Sequence, residues 1–268
     1  MSFSIKGRTA IVTGAANGVG LAVARSFVRA GANVVFADID EAALTEQVAE
    51  LAEEENVRLF SGDLREKLAI ANLLSTTIDA FDRVDILVNA ARTLVSTDAL
   101  DPEDTSVEQM LEQNFLLPLR LSRAVARRFI KQAKDAGPDE TSVGAIVNLS
   151  AISGRRAHPD LLGFSVASAA LEQMTRSLAV ALAPERIRVN AVSVGSVLSA
   201  SLKDWIRDHG DVRSAIVEST PMHRIAHAAE VADTVQYLAS DAASFVTGEV
   251  VTVDGGRTLL DPAAVSVH

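Results

Sequence analysis

The stretch TGAANGVG, Thr13–Gly20, lies between a short apolar segment and an amphipathic one that stops at Gly31. Its glycines stand at positions 14, 18 and 20. We expect a strand, a tight turn and a helix in this order, because glycines at a helix start let a pyrophosphate reach backbone N–H groups. A plain strand-to-helix turn is the alternative, since a glycine triplet alone is a weak signal. The position directly after the first strand favours the dinucleotide interpretation.

Short segments rich in valine and isoleucine alternate with helical stretches along the rest of the chain. Their near-continuous apolar character is typical of strands that are covered on both faces. Seven segments are predicted as strands: Thr9–Thr13, Asn33–Asp38, Val57–Asp63, Val84–Ala90, Gly144–Ser150, Ile187–Ser193 and Glu249–Gly256. The alternation predicts an α/β fold with a doubly wound seven-stranded parallel sheet and helices on both faces. No linker divides the 268 residues, so we expect a single domain over 1–268.

Two acidic residues at strand ends are candidates for contacts with a nucleotide. Asp38 ends the second strand, 18 residues after Gly20. A carboxylate there accepts hydrogen bonds from both hydroxyls of an adenosine ribose and repels a 2′-phosphate, which favours NAD over NADP. A place at a helix N-cap is the alternative, since Asp40 and Glu41 supply a first helical turn. Asp63, after the third strand, fits either the adenine amino group or an N-cap.

Composition excludes several classes of function. The chain contains no cysteine, which rules out disulfides, zinc thiolates and cysteine nucleophiles. Its net charge of −10 argues against nucleic acids and anionic membranes as partners, since both need clustered cations. The first residues lack the features of a signal peptide, and no apolar run is long enough to span a bilayer. We therefore expect a cytoplasmic protein without a metal site.

Several motifs together resemble the short-chain dehydrogenase/reductase family over nearly the whole chain. TGAANGVG matches the family's TGxxxGxG, and LVNAAR stands where the family has NNAG. IVNLSAISG resembles the strand that carries the family's catalytic serine, and ASFVTGEVVTVDGG resembles its last strand. The resemblance implies a Rossmann fold, oxidoreductase activity with NAD(P), and a substrate lid around 195–220. It also implies a homodimer or homotetramer.

The resemblance further indicates which residues contact the cofactor. They follow the carboxyl ends of the strands: Gly14, Asn17, Gly18, Val19, Gly20, Asp38, Ile39, Asp63, Leu64, Asn89, Ala90, Val197 and Ser199. Two of the family's residues are replaced, an asparagine by Ala90 and a glycine by Arg92. Arg92 would either clash with the cofactor or pair with its pyrophosphate. We expect the adenosine half of the site to be intact and the nicotinamide half to be altered.

The family's chemistry depends on a serine, a tyrosine, a lysine four residues after the tyrosine, and an upstream asparagine. The tyrosine exchanges a proton with the carbonyl oxygen, the lysine binds the nicotinamide ribose and makes the tyrosine more acidic, and the serine holds the carbonyl oxygen. Aligning the family's YxASKAAL with FSVASAAL places Phe164 at the tyrosine, Ser168 at the lysine and Ala151 at the serine. Asn114 keeps the asparagine.

No other residue is an obvious replacement for the missing acid. An alignment shifted by one position, onto Ile152, Ser165 and Ala169, recovers none of the three family residues. The one tyrosine, Tyr237, lies in a helix that packs away from the nicotinamide in this family. His158 precedes Phe164 on a loop and could act as an acid near neutral pH. A solvent-facing loop histidine is the plainer interpretation.

Three functions follow from this pattern. The first is an NAD-dependent oxidoreductase that acts on a small carbonyl or alcohol ligand, weakly or through another acid. The second is a non-catalytic NAD-binding protein, a pseudoenzyme used as a sensor or as a partner subunit. The third is a non-redox lyase or isomerase. NAD binding without turnover indicates the second, and turnover without a change in nicotinamide absorbance indicates the third.

Overall fold

A computed structural model describes residues 3–51, 54–136, 142–208 and 210–261. It contains one sheet of strands β1 (Thr9–Thr13), β2 (Asn33–Asp38), β3 (Val57–Ser61), β4 (Ile86–Asn89), β5 (Gly144–Ala151), β6 (Ile187–Val194) and β7 (Val250–Val253). The strand order is β3-β2-β1-β4-β5-β6-β7, and neighbouring strands pair in parallel. The predicted seven-stranded, doubly wound parallel sheet is confirmed.

Some strand ends differ from the prediction, one because of a distant partner and another because of the local backbone conformation. The fourth strand begins at Ile86, because the N–H of Val84 donates to the side-chain Oε1 of Gln132 at 3.0 Å and not to a neighbouring strand. The last strand ends at Val253, before Gly255 and Gly256, whose φ angles of 64° and 87° turn the chain out of the sheet.

Helices cover both faces of the sheet. They are α1 (Gly18–Arg29), α2 (Glu41–Val48), α3 (Lys67–Phe81), α4 (Ser106–Leu111), α5 (Leu117–Ala136), α6 (Leu162–Leu182), α7 (Ala200–Asp208), α8 (Asp211–Glu218) and α9 (Ala228–Ala239). A π-helical turn, Glu112–Leu116, joins α4 to α5. Helix α1 is followed by Gly31, whose φ of 80° suits a glycine at a helix end, as the sequence predicts.

Two large apolar clusters hold the helices on the sheet. One packs α1, α2 and α9 against the first face through buried side chains such as Val23, Phe27 and Val235. The other packs α3, α5 and α6 against the second face, with Leu73, Phe129 and others fully buried. Burial on both faces explains the near-continuous apolar strands.

The described ranges contain neither a candidate membrane-spanning helix nor a candidate metal cluster. No helix in them combines the length and hydropathy that a bilayer-spanning segment requires. No group of three or more potential metal-ligating side chains occurs in them.

Candidate functional site

A cleft of about 840 Å³ opens at the carboxyl ends of the central strands. It lies where the strand order reverses, between β1 and β4, which is the usual ligand position in an open α/β sheet. Its wall includes every predicted cofactor residue except Asn89: Gly14, Asn17, Gly18, Val19, Gly20, Asp38, Ile39, Asp63, Leu64, Ala90, Val197 and Ser199. The structure therefore brings these residues together from five separate segments of the chain.

The glycine turn fits closely against its surroundings at two positions and is open at a third. A Cβ on Gly14 would lie 2.7 Å from the Cα of Ala91, and a Cβ on Gly20 would lie 2.1 Å from the carbonyl oxygen of Gly14. Gly18 has a φ of 56°, and a Cβ there would meet only Ser199, at 3.8 Å. The start of α1 is therefore packed on its inner side and accessible from the cleft, a geometry that fits a phosphate group.

Asp38 stands on the cleft wall beside this turn. Its Oδ2 accepts a hydrogen bond from the N–H of Ala16 at 3.0 Å, and its Oδ1 accepts one from the N–H of Asp40 at 3.1 Å. The cap of α2 is Asp40, whose Oδ1 accepts from the N–H of Ala43. Asp38 does not take the N-cap role, and its carboxylate is held at the edge of the cleft.

Asp63 lies at the same end of the cleft in an ion pair with Arg65. The guanidinium Nη2 lies 2.6 Å from Oδ2 of Asp63, and Nε lies 2.9 Å from Oδ1. This side-chain hydrogen bonding lowers the pKa of the Asp63 carboxyl below its usual value. The N-cap of α3 is Glu66, so the alternative in which Asp63 caps this helix is not observed. An adenine amino group would have to share Asp63 with Arg65.

Thr13 joins the glycine turn to the end of β4, a role that the sequence analysis missed. Its Oγ1 accepts hydrogen bonds from the N–H groups of Ala90 and Ala91, both at 3.1 Å. These are bonds between one side chain and two backbone groups far along the chain. The sequence signal for these two bonds was a threonine at the end of the first strand, directly before the first glycine of the turn.

Asn89 is the predicted cofactor residue that is not on the cleft wall, and its contact with a cofactor stays a prediction. The amide Nδ2 donates to Oγ of Ser122 at 3.1 Å and to Oδ1 of Asn148 at 2.8 Å, and the residue is buried. Those partners lie on α5 and β5, which draw the amide into the interior. Any contact of Asn89 with a ligand would have to use its backbone.

Asn114 lies in the π-helical turn and fixes the loop after β4. Its Oδ1 accepts from the N–H of Thr93 and its Nδ2 donates to the carbonyl oxygen of Thr93, both at 2.8 Å. Asn114 is buried and outside the cleft wall, whereas Thr93 and the neighbouring Gln113 line the cleft. The retained asparagine therefore positions the cleft edge through its neighbours.

Ala151, Phe164 and Ser168 lie side by side but offer little chemistry. Ala151 and Phe164 are buried in a small apolar cluster with Met110. Ser168 is also buried, and its hydroxyl donates to the carbonyl oxygen of Phe164 at 2.7 Å. Its nearest polar side-chain neighbour is Ser153, with 3.5 Å between the two hydroxyl oxygens.

His158 and Tyr237, the two other side chains considered as acids in the sequence, lie outside the cleft wall. His158 is exposed on the loop before α6, and its Nδ1 accepts from the N–H of Asp160 at 3.3 Å. Tyr237 lies on α9 beside Phe3, with 6.1 Å between the ring centroids. Neither residue is on the cleft wall, and the assignment of His158 as an acid stays a prediction.

The segment 195–220, for which the sequence predicts a lid, contributes residues to the cleft wall. Val197 and Ser199 precede α7, and Leu202 of α7 also lines the cleft. Oγ of Ser199 accepts from the N–H of Leu202 at 3.2 Å, so this hydroxyl holds the first turn of α7 and retains its own proton for another acceptor.

Comparison with known proteins agrees with the fold. A family model described as enoyl-(acyl carrier protein) reductase matches residues 14–258. Galactitol 2-dehydrogenase (L-tagatose-forming) of Cereibacter sphaeroides is 34% identical over 260 residues, 96% of this chain and 97% of that protein. The crystal structure of gox2181 superposes with a TM-score of 0.87 at 32% identity, covering 96% of this chain and 98% of the other.

A further structure shares the fold at lower identity. It is a gluconate 5-dehydrogenase from Burkholderia cenocepacia J2315 in complex with NADP and tartrate, with a TM-score of 0.85 at 24% identity, covering 97% of this chain and 98% of the other. The family model and the galactitol dehydrogenase each match most of the chain. This protein therefore belongs to the short-chain dehydrogenase/reductase family of oxidoreductases, whose members bind NAD or NADP.

Proposed function

We propose that this protein binds NAD(H) in the cleft and performs the family's carbonyl and alcohol chemistry weakly or not at all. The open position at Gly18 and the carboxylate of Asp38 support the first part, because they suit a diphosphate and an adenosine ribose. The buried apolar cluster that Ala151 and Phe164 share carries the second part, because these residues stand at the family's serine and tyrosine positions and have no polar atom in the side chain.

The chemical consequence follows from proton balance. Bound NAD(H) supplies or accepts the hydride, so the protein's task is to exchange a proton with the substrate oxygen. Phe164 has no proton to exchange, and the Ser168 hydroxyl is uncharged and bonded to the Phe164 carbonyl. A positioned general acid contributes about 10²- to 10⁴-fold to rate. The turnover rate should therefore be at least about 100-fold lower than that of a family member that has the serine, the tyrosine and the lysine.

Calorimetric titration with NAD, NADH and NADP tests the proposal. We expect NAD and NADH to bind more tightly than NADP, and a screen with small alcohols and carbonyls to give little change in nicotinamide absorbance. Galactitol and L-tagatose are the first pair to test, because a 34% identical relative is named for them. Failure of all three nicotinamides to bind would refute the function, and rapid turnover would refute its second part.

Asp38→Asn tests the choice between NAD and NADP. The variant keeps the side-chain size but removes the charge that would accept from the ribose hydroxyls and repel a 2′-phosphate. Hydrogen bonds to charged groups contribute about 1.5–3 kcal/mol, so the preference for NAD over NADP should fall by about 10-fold or more. Titration of both cofactors measures it. Asp40→Asn removes the same charge from the same wall, and an equal effect there would attribute the preference to general electrostatics.

A non-catalytic NAD sensor or partner subunit is the second candidate. The residues for the adenosine half of NAD line the cleft, whereas the positions of the family's serine and tyrosine are apolar. This contrast favours a binding function over hydride transfer that uses another acid. Tight NAD binding with no detectable turnover over the whole screen would support it. A small carbonyl or alcohol ligand, a homodimeric or homotetrameric assembly and a cytoplasmic location stay predictions of the sequence.

A further inference from the structure

Arg92 occupies the cleft wall as a cation without a partner in the described ranges. It lines the cleft and makes no hydrogen bond or ion pair with any residue in those ranges. The other arginine of the wall, Arg65, is bound by Asp63. The residue is exposed to the solvent in the cleft, and no carboxylate of the described ranges pairs with it, so its guanidinium is open to an anionic ligand.

The backbone on either side of Arg92 is fixed. On one side, the N–H of Ala91 donates to Oγ1 of Thr13, and its Cα lies against Gly14. On the other side, Thr93 is held through both its N–H and its carbonyl oxygen by Asn114. The base of the arginine side chain is therefore preorganised, and binding a ligand costs mainly the ordering of the side chain itself.

Because Arg92 lies close to Gly14, its side chain can contact the part of a ligand that binds at the glycine turn. Ala91 is in contact with the glycine turn, so Arg92 begins one residue away from the turn that leads into α1. The unpaired N–H groups at the start of a helix such as α1 favour the binding of an anion. Leu117, Leu149 and Val194 also line the cleft, and their side chains offer no charge to an anion.

We propose that Arg92 binds the diphosphate of the dinucleotide from the side opposite the start of α1, an inference that rests on NAD binding as proposed above. A guanidinium matches two phosphate oxygens with parallel N–H donors, so it suits this group better than a lysine would. Arg92 stands where the family's NNAG motif, which LVNAAR resembles, has its glycine. The chain thus adds a side-chain cation to a cradle otherwise built from backbone N–H groups.

Titration of wild type and Arg92→Ala with NAD, ADP-ribose and adenosine tests this assignment. ADP-ribose keeps the diphosphate without the nicotinamide, and adenosine lacks phosphate. We expect the variant to bind NAD and ADP-ribose about 10- to 100-fold more weakly, the range for a hydrogen bond to a charged group, and adenosine as wild type does. Arg92→Lys should recover part of the loss. Arg29→Ala, at the far end of α1, removes an exposed arginine and should change nothing.

The possible outcomes separate this inference from the proposed function. Wild type that binds neither NAD nor ADP-ribose refutes the function, and the inference with it. Wild type that binds both, together with an Arg92→Ala variant of equal or higher affinity, overturns the inference alone. Arg92 would then either obstruct the cleft or serve a substrate anion. A loss of adenosine binding equal to the loss of ADP-ribose binding also overturns it, because the effect would not depend on phosphate.

Discussion

Ala151→Ser, Phe164→Tyr and Ser168→Lys, combined in one variant, are expected to raise NADH-dependent carbonyl reduction at least 100-fold over wild type. Phe164 and Ala151 already share one cluster, so a phenol and a hydroxyl introduced there would be neighbours. Position 168 lies one helical turn after 164 on α6, which brings the lysine next to the phenol. A positioned general acid contributes about 10²- to 10⁴-fold. Initial rates of NADH oxidation with a panel of aldehydes and ketones, L-tagatose among them, measure the gain.

A matched control uses the alignment shifted by one residue. Ile152→Ser, Ser165→Tyr and Ala169→Lys introduce the same three side chains at neighbouring positions, and we expect no gain from them. Circular dichroism and NADH titration establish that both triple variants fold and bind. If the first variant binds NADH and remains as slow as wild type, the reactive end differs from that of the family in more than these three residues.

Gly20→Ala is expected to lower the stability of the protein strongly, whereas the same added methyl group at Gly210 should have little effect. Its Cβ would lie 2.1 Å from the Gly14 carbonyl oxygen and 2.7 Å from the Gly14 carbonyl carbon, so the backbone itself must move. Overpacking costs about 1–3 kcal/mol, occasionally more, and a clash with backbone belongs at the upper end. At about 2–4 °C per kcal/mol, the unfolding midpoint should fall by roughly 6–12 °C. NAD affinity should fall as well, because α1 must shift.

Gly210→Ala is the corresponding control. Its Cβ would meet no atom of the described chain within 4 Å, and its φ of −55° is accessible to alanine. Surface changes of this kind stay within about 0.5 kcal/mol, so its midpoint should match wild type. Thermal unfolding followed by circular dichroism compares the variants. A Gly20→Ala midpoint equal to that of Gly210→Ala would contradict the close packing of the turn.

The fold was predictable because its signals are local. Apolar runs and glycine turns repeat along the chain, and each strand was placed within a few residues of its position. One error at a strand end came from a distant partner. Val84 is captured by Gln132 of α5, and nothing near Val84 in the sequence indicates this.

The site was less predictable than the fold, for the same reason. The glycine turn and Asp38 could be predicted because each stands at a fixed distance from the end of a strand. The direction of the Asn89 amide depends on Ser122 and Asn148, which only the folded sheet brings near. The pairing of Asp63 with Arg65 was open to prediction from two neighbouring residues, but sequence alone does not show whether a ligand or the arginine takes the carboxylate.

The place of β1 between β2 and β4 also bears on how the protein folds. Ala10 pairs with Ile86, so this ladder joins two strands that are separated in the chain by α1, β2, α2, β3 and α3, and such non-local pairings are slow to form. The cleft needs this ladder and also the end of β6, so no dinucleotide site exists while the sheet is incomplete. We expect a ligand that binds only the complete sheet to stabilise the native state by slowing its unfolding, without speeding its formation.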